Sequence, residues 1–213
     1  MPKFEKDNPL FLETRNSICK ALYGKNLTFD DDLHYPCAEC PSTMNTVELE
    51  PNIQKLSERN LKTFLKFKEW TRQGYYAPVT VINHPQQGAC VQATIDIPNL
   101  TLLCEYVGDV LPVRHVLFEQ NNDSIMDLIK AHTSSKSLAI CPNKRANLAR
   151  FISGINNSTK EGKKKQNVKS ARFNIQGRVG IILYADRMIK KGEILYYDYN
   201  EGGFESYPTE DFI

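Results

Sequence analysis

The chain has 213 residues, 27 Lys and Arg against 25 Asp and Glu, a formal net charge of +2 at pH 7, and 41% hydrophobic residues. That length suits one core with an appendage and excludes two independent enzyme cores, while the composition excludes wholesale disorder and fibrous repeats. A charge so near balance sets up no strong field at physiological salt, so the total does not imply nucleic acid.

In chain order, Met1-Pro2-Lys3-Phe4-Glu5-Lys6-Asp7 lacks the apolar core of a secretory signal. Asp30-Asp31-Asp32 and the segment 36–41 read as loop. Cys37 and Cys40 have the two-residue gap of a zinc site with His34 nearby, but no second close cysteine pair completes four ligands, so they read as thiols and no metal is expected. With Cys19, Cys90, Cys104 and Cys141 they suit a reducing compartment better than a disulfide framework. After Pro51, the residues Ile53, Leu56, Leu61, Phe64, Leu65 and Trp70 follow helical spacing up to a stop at Gly74, which predicts an amphipathic helix packed on a sheet.

From Tyr76 the texture changes to short β-favouring runs at 79–82, 91–95, 100–107, 138–141, 171–175 and 179–185, separated by turn signals at Pro85, Gly88, Pro98-Asn99, Gly177 and Gly192. One helix is expected at 124–132, from Met126, Leu128 and Ile129. The expected fold is therefore mainly β (α+β). The longest apolar run, 179–185, is far short of the roughly 20 residues a spanning helix needs, so no membrane association is expected. Lys160, Lys163, Lys164, Lys165, Lys169 and Arg172 against Glu161 make a basic stretch, which reads as a solvated loop or a contact for phosphate or an acidic groove. In Leu195-Tyr196-Tyr197-Asp198-Tyr199-Asn200, period-two alternation points the phenols of Tyr197 and Tyr199 the same way. No Gly-x-Ser-x-Gly elbow, phosphate-binding Gly-rich loop with Lys, or dinucleotide fingerprint is present, which removes hydrolase, NTPase and dehydrogenase readings.

Taken in order, Glu105-Tyr106-Val107-Gly108, Arg150-Phe151-Ile152, Asn167, Gly192-Glu193-Ile194-Leu195 and Tyr197-Asp198-Tyr199 resemble the SET-domain protein lysine methyltransferases. Residues 147–157, with Ser153-Gly154-Ile155 where most members have Asn-His-Ser, the basic insertion up to Asn167, and the ending Tyr207-Pro208-Thr209 with Phe212 look like the plant trithorax-related (ATXR-type) histone H3 lysine-27 monomethyltransferases. The resemblance implies a SET fold of small β-sheets with a knot-like C-terminal threading over 76–200, a partly helical flank over 1–75, and a tail over 201–213 in place of zinc-binding cysteines.

By the same resemblance Tyr199, Tyr106 and Tyr197 are catalytic: Tyr199 beside the transferred methyl, Tyr106 lining the lysine channel, and Tyr197 acting as a product switch that stops at one methyl. S-adenosylmethionine is expected against Gly88, Ala89 and Cys90 and against Phe151, Ile152, Ser153, Gly154, Ile155, Asn156 and Asn157, with Tyr207 covering the adenine. A substrate peptide is expected to add to the strand of Leu138, Ala139 and Ile140. The implied partner is the histone H3 tail or nucleosome, for a nuclear monomer brought to chromatin by a chromatin- or replication-associated partner. A non-histone substrate, or an inactive SET-fold module that only captures a histone tail, are the competing readings.

Overall fold

A computed structural model describes residues 9–116, 124–131, 136–201 and 207–212. The elements run α1 (Pro9–Tyr23), β1 (Thr28–Phe29), β2 (Leu33–His34), β3 (Gln54–Lys55), α2 (Glu58–Arg72), β4 (Val79–His84), β5 (Gly88–Ala93), β6 (Leu102–Glu105), β7 (Gly108–Pro112), α3 (Val113–Val116), β8 (Met126–Ile129), β9 (Leu138–Cys141), β10 (Arg145–Ala146), β11 (Ser153–Gly154), α4 (Lys160–Lys164), β12 (Val168–Ile175), β13 (Arg178–Ala185) and β14 (Tyr196–Tyr197). They form small sheets: β3-β12-β13-β6, β2-β7-β9-β8, and the pairs β4-β5, β1-β10 and β11-β14. The mainly β expectation agrees with this architecture.

The long hairpin β12-β13 is antiparallel from Val168↔Ala185 to Ile175↔Arg178. Its inner residues Val179, Ile181 and Leu183 are buried in one core with Leu103, Val110, Leu138, Ile140 and Leu195. Helix α2 begins at Glu58, where the Ser57 side chain accepts from the Asn60 N–H, seven residues after the Pro51 start expected from spacing. Its buried face is Phe64, Phe67, Lys68 and Thr71, and Phe64 and Phe67 pack against Ile175 and Ile182. Leu65 stands on the exposed side. The apolar stripe located the helix, but a buried lysine and threonine belong to the inner face and Leu65 does not.

Two sequence expectations need correction. The helix expected at 124–132 is not formed over the described residues 124–131, 132 lying outside them: Met126–Ile129 is strand β8, paired antiparallel to β9 with a bulge between Asp127 and Ile129. A short apolar run carries no period that separates helix from strand, and pairing to a buried neighbour decides it. The second correction concerns Leu138, Ala139 and Ile140. Strand β9 is bonded to β7 on one side and β8 on the other, and every residue in it is buried. No edge is left on β9 for an incoming peptide; β2 and β8 are the edge strands of that sheet.

Residues 9–75 are woven into the rest. Strands β1, β2 and β3 each pair in parallel with a later strand, β10, β7 and β12. Helix α1, which sequence spacing did not single out, buries Phe11, Thr14, Ile18 and Leu22, and the Thr14 hydroxyl donates to the Val79 carbonyl at 2.7 Å. Near the other end, β14 pairs in parallel with β11, while Leu195 N–H donates to the Val91 carbonyl and Asn167 N–H to the Tyr196 carbonyl. The late strand thus threads between segments far apart in sequence, as the resemblance implied.

Candidate active site

Asn167 anchors the threaded strand: its Nδ2 donates to the Ile194 carbonyl at 2.8 Å and its Oδ1 accepts from the Tyr196 N–H at 2.8 Å. The register Gly154↔Tyr197 then sets Tyr197 beside the 152–155 segment. The Tyr197 and Tyr199 rings meet at 4.7 Å between centroids, tilted by 47°, as the alternation predicted. Tyr106 follows β6 and is tied to β13 through its N–H, which donates to the Ile181 carbonyl.

The three phenols form one group. Burial, and then the neighbouring phenols, push Tyr106 and Tyr197 well above the ordinary tyrosine range, so both stay protonated near neutrality. The Tyr106 hydroxyl donates to the Ser124 carbonyl at 2.5 Å, and the Tyr199 hydroxyl donates to the Ile152 carbonyl at 2.9 Å. With their hydrogens committed to backbone carbonyls, both oxygens keep lone pairs that can accept from an entering N–H.

Tyr199 and Ser124 lie on the wall of an open groove of about 390 Å³, the size class of small-ligand sites. Of the residues expected to hold a cofactor, Gly88, Ala89, Phe151, Ile152, Ser153, Gly154 and Tyr207 line it. Cys90, Ile155, Asn156 and Asn157 do not. Cys90 and Ile155 are buried in packing. The Asn156 side chain donates to the carbonyls of Glu210 at 2.8 Å and Phe212 at 2.9 Å, and Asn157 donates to Asp198 at 2.8 Å. The Nδ2 groups of the asparagines therefore hold the C-terminal tail and the tyrosine strand, which shape the groove.

The tail closes one end of the groove with aromatic rings: Tyr199 lies 5.7 Å from Tyr207 and 5.6 Å from Phe212, both edge-on. Gly154 permits this closure, because a Cβ there would sit 2.4 Å from the Phe212 ring and 3.1 Å from that of Tyr199. Gln87, also in the lining, donates to the Tyr196 hydroxyl at 2.7 Å. Arg150 also lines the groove, and its buried Nε has no hydrogen-bond partner among the described residues. Among the described residues no three His, Cys, Asp or Glu side chains converge as metal ligands, and Cys37 and Cys40 are free.

Behind the phenols lies a buried ionic network that sequence reasoning missed. Lys68 Nζ sits 2.7 Å from Asp31 and 3.1 Å from Glu105, with all three side chains almost wholly out of water. Arg178 also reaches Glu105, at 2.6 Å. Tyr76 and Asn147 donate to Asp31 at 2.7 and 2.6 Å, Thr71 donates to the same carboxylate, and Asn147 donates to the Glu105 carbonyl at 2.8 Å. Burial alone would raise the Glu105 carboxyl, but Lys68 and then Arg178 hold it below its ordinary value. For Lys68 burial is likewise outweighed by Glu105 and Asp31, and its pKa is raised. Asn147 also accepts from the Ala149 N–H, capping the turn Leu148–Phe151 on the groove wall. The network thus joins the N-terminal flank to Glu105, the neighbour of Tyr106. In sequence, Asp30-Asp31-Asp32 resembled an ordinary polar loop, and nothing local marked Asp31 as the buried one.

Comparison with known proteins bears on this geometry. Residues 88–200 match the SET domain family. The chain is 42% identical over 204 residues to Histone-lysine N-methyltransferase ATXR6 of Arabidopsis thaliana, covering 95% of this chain and 58% of that protein. It is 40% identical to Probable Histone-lysine N-methyltransferase ATXR5 of Ricinus communis, covering 95% of this chain and 54% of that one. It therefore spans little more than half the length of these curated relatives. A crystal structure of ATXR5 in complex with histone H3.1 mono-methylated on an arginine superposes with a TM-score of 0.92 at 38% identity, covering 98% of this chain and 97% of that one.

Proposed function

The chain belongs to the SET-domain family, and from that premise we propose that it is a nuclear protein lysine methyltransferase that uses S-adenosylmethionine to place one methyl group on histone H3, at the tail lysine of position 27. The observation that carries this reading is the meeting of Tyr106, Tyr197 and Tyr199 beside a groove walled by Gly88, Ala89, Tyr207 and the 151–154 segment. The family resemblance to named histone-lysine methyltransferases supports the substrate class.

The residues of the groove fit the donor. Its volume is adequate, aromatic rings stand at one end, and the unpartnered Nε of Arg150 suits the donor's carboxylate. S-adenosylmethionine supplies an electrophilic methyl group on a sulfonium centre. Gly88, Ala89, Arg150, residues 151–154 and Tyr207 would hold it. The chain's own work is on the lysine, whose unperturbed pKa of about 10.4 keeps it charged and non-nucleophilic in water. Dry aromatic walls disfavour the ammonium and favour the neutral amine. Tyr106 and Tyr199, their hydrogens engaged with Ser124 and Ile152, accept from the amine N–H groups and so aim its lone pair. Their raised or committed phenols are positioning groups and not bases. The Tyr197 hydroxyl fills space that a methylated amine would need before a second transfer. The tail would lie along the open edge of β8, since the Ser124 carbonyl just ahead of that strand touches Tyr106.

Calorimetric titration with S-adenosylmethionine followed by mass-spectrometric site mapping on recombinant histone octamers tests the whole reading. Donor binding with a single methyl on the H3 tail is the expected result. Absence of donor binding would leave only a tail-binding module, and methylation confined to other proteins would overturn the substrate.

A further inference from the structure

We propose that the face of α4 carrying Lys160, Lys163 and Lys164 is a docking surface for the phosphate backbone of duplex DNA beside the substrate tail, a proposal that takes its nucleosomal setting from the function above. By sequence this stretch reads as a solvated loop or a contact for phosphate or an acidic groove. The structure gives it a defined form. The Thr159 side chain caps the helix by accepting from the Gly162 N–H at 3.0 Å. Gly162 is buried so tightly that a Cβ would lie 2.2 Å from the Asn156 carbonyl oxygen. Lys165 lies over the Tyr196 ring at 5.9 Å from its centroid. The basic turn is therefore fastened to Asn156 and to the tyrosine strand, both of which shape the active groove.

Its charge is uncompensated where that of the neighbouring strand is not. Lys169 pairs with Asp186 and Arg172 with Glu50. Lys160, Lys163 and Lys164 are exposed and make no ion pair among the described residues, and Glu161 is the single acid within the helix. A histone tail is itself basic and is repelled by this face. The component of a nucleosome with charge opposite to α4 is the wrapped DNA, whose phosphates are read by lysines as point charges without sequence preference.

The test uses the full chain and a variant with Lys160→Gln, Lys163→Gln and Lys164→Gln, and reads fluorescence anisotropy on a labelled duplex of about 20 base pairs between about 50 and 200 mM salt. Each lysine that meets a phosphate contributes about 0.9 to the log–log salt slope, so the variant's slope should become shallower by one or more, with at least tenfold weaker binding at low salt. The matching Lys→Arg triple variant should bind as the parent does. Methylation of a free H3 tail peptide should be equal in all three proteins, and that of nucleosomes should fall only in the glutamine variant. A slope change below one overturns the proposal, as does loss of binding to an acidic histone surface with DNA binding retained. Because DNA binding is read without methyl transfer, its failure is separable from failure of the enzymatic reading.

Discussion

Replacing Lys68 with methionine removes the one cation between two buried carboxylates while keeping the side chain's volume. Asp31 and Glu105 flank Nζ at 2.7 and 3.1 Å, so their oxygens stand no more than about 6 Å apart. At an effective dielectric constant of about 20, two unit charges at that separation repel by roughly 3 kcal/mol. Arg178 offsets part of this at Glu105, and Asn147, Tyr76 and Thr71 still donate to Asp31. Breaking a buried pair by removing one partner costs about 3–5 kcal/mol, and Lys68→Met should fall in that range at pH 7, a drop of roughly 6–20 °C in Tm for a chain of this size. Without Lys68, the largest influence opposing burial, the Glu105 carboxyl should have a higher folded-state pKa than in the parent, so the variant's deficit against the parent should shrink as pH falls from 7 toward 5. Urea titrations followed by circular dichroism at both pH values measure this. A loss under about 1 kcal/mol at pH 7, or a deficit that does not change with pH, would refute the idea that this network joins the flank to the catalytic half.

In the parent protein, Glu105 is held below its ordinary pKa, so its contribution is full above the unfolded value and lost as pH falls through the folded one. Lys68 is raised, so its contribution is full below its unfolded value and lost as pH rises through the folded one. Both act together between about pH 5 and 10, and unfolding free energy measured across pH should fall off on each side of that window. Tyr197→Phe, assayed by mass spectrometry on H3 peptide, should add dimethyl product; a variant that still stops at one methyl would refute the switch. Gly154→Ala should weaken donor binding at least tenfold by calorimetry, since its Cβ must displace Phe212 or Tyr199. Asn156→Ala should free the tail from its Glu210 and Phe212 carbonyl anchors and also weaken donor binding, with little change in the affinity for tail peptide.

Local pattern was enough for much of this protein. The pattern along 195–200 pointed to Tyr197 and Tyr199 lying together, and their rings do meet, although the strand ends at Tyr197 and Tyr199 stands in the turn that follows. The strands of the β12-β13 hairpin were legible in part, as apolar runs at 171–175 and 179–185 bounded by turn residues, and α2 from the helical spacing of its apolar residues. The spaced motifs also named the groove residues Gly88, Ala89, Phe151 to Gly154 and Tyr207, which the fold gathers on one wall. What tertiary structure decided are the matters that depend on who sits opposite. Residues 126–129 became strand because β9 was there to pair with, and β9 lost its role as a peptide platform because both its edges were taken. The hydrogen bonds of Asn156 to the tail carbonyls and of Asn157 to Asp198 likewise depend on segments far away in sequence. Asp31 is the sharpest case: among three adjacent aspartates only its long-range partners, Lys68 from α2 and Asn147 from the far side of the core, make its burial tolerable. A buried charge is stable only where the fold brings its counter-charge, and that meeting of distant residues is written in no local stretch of sequence.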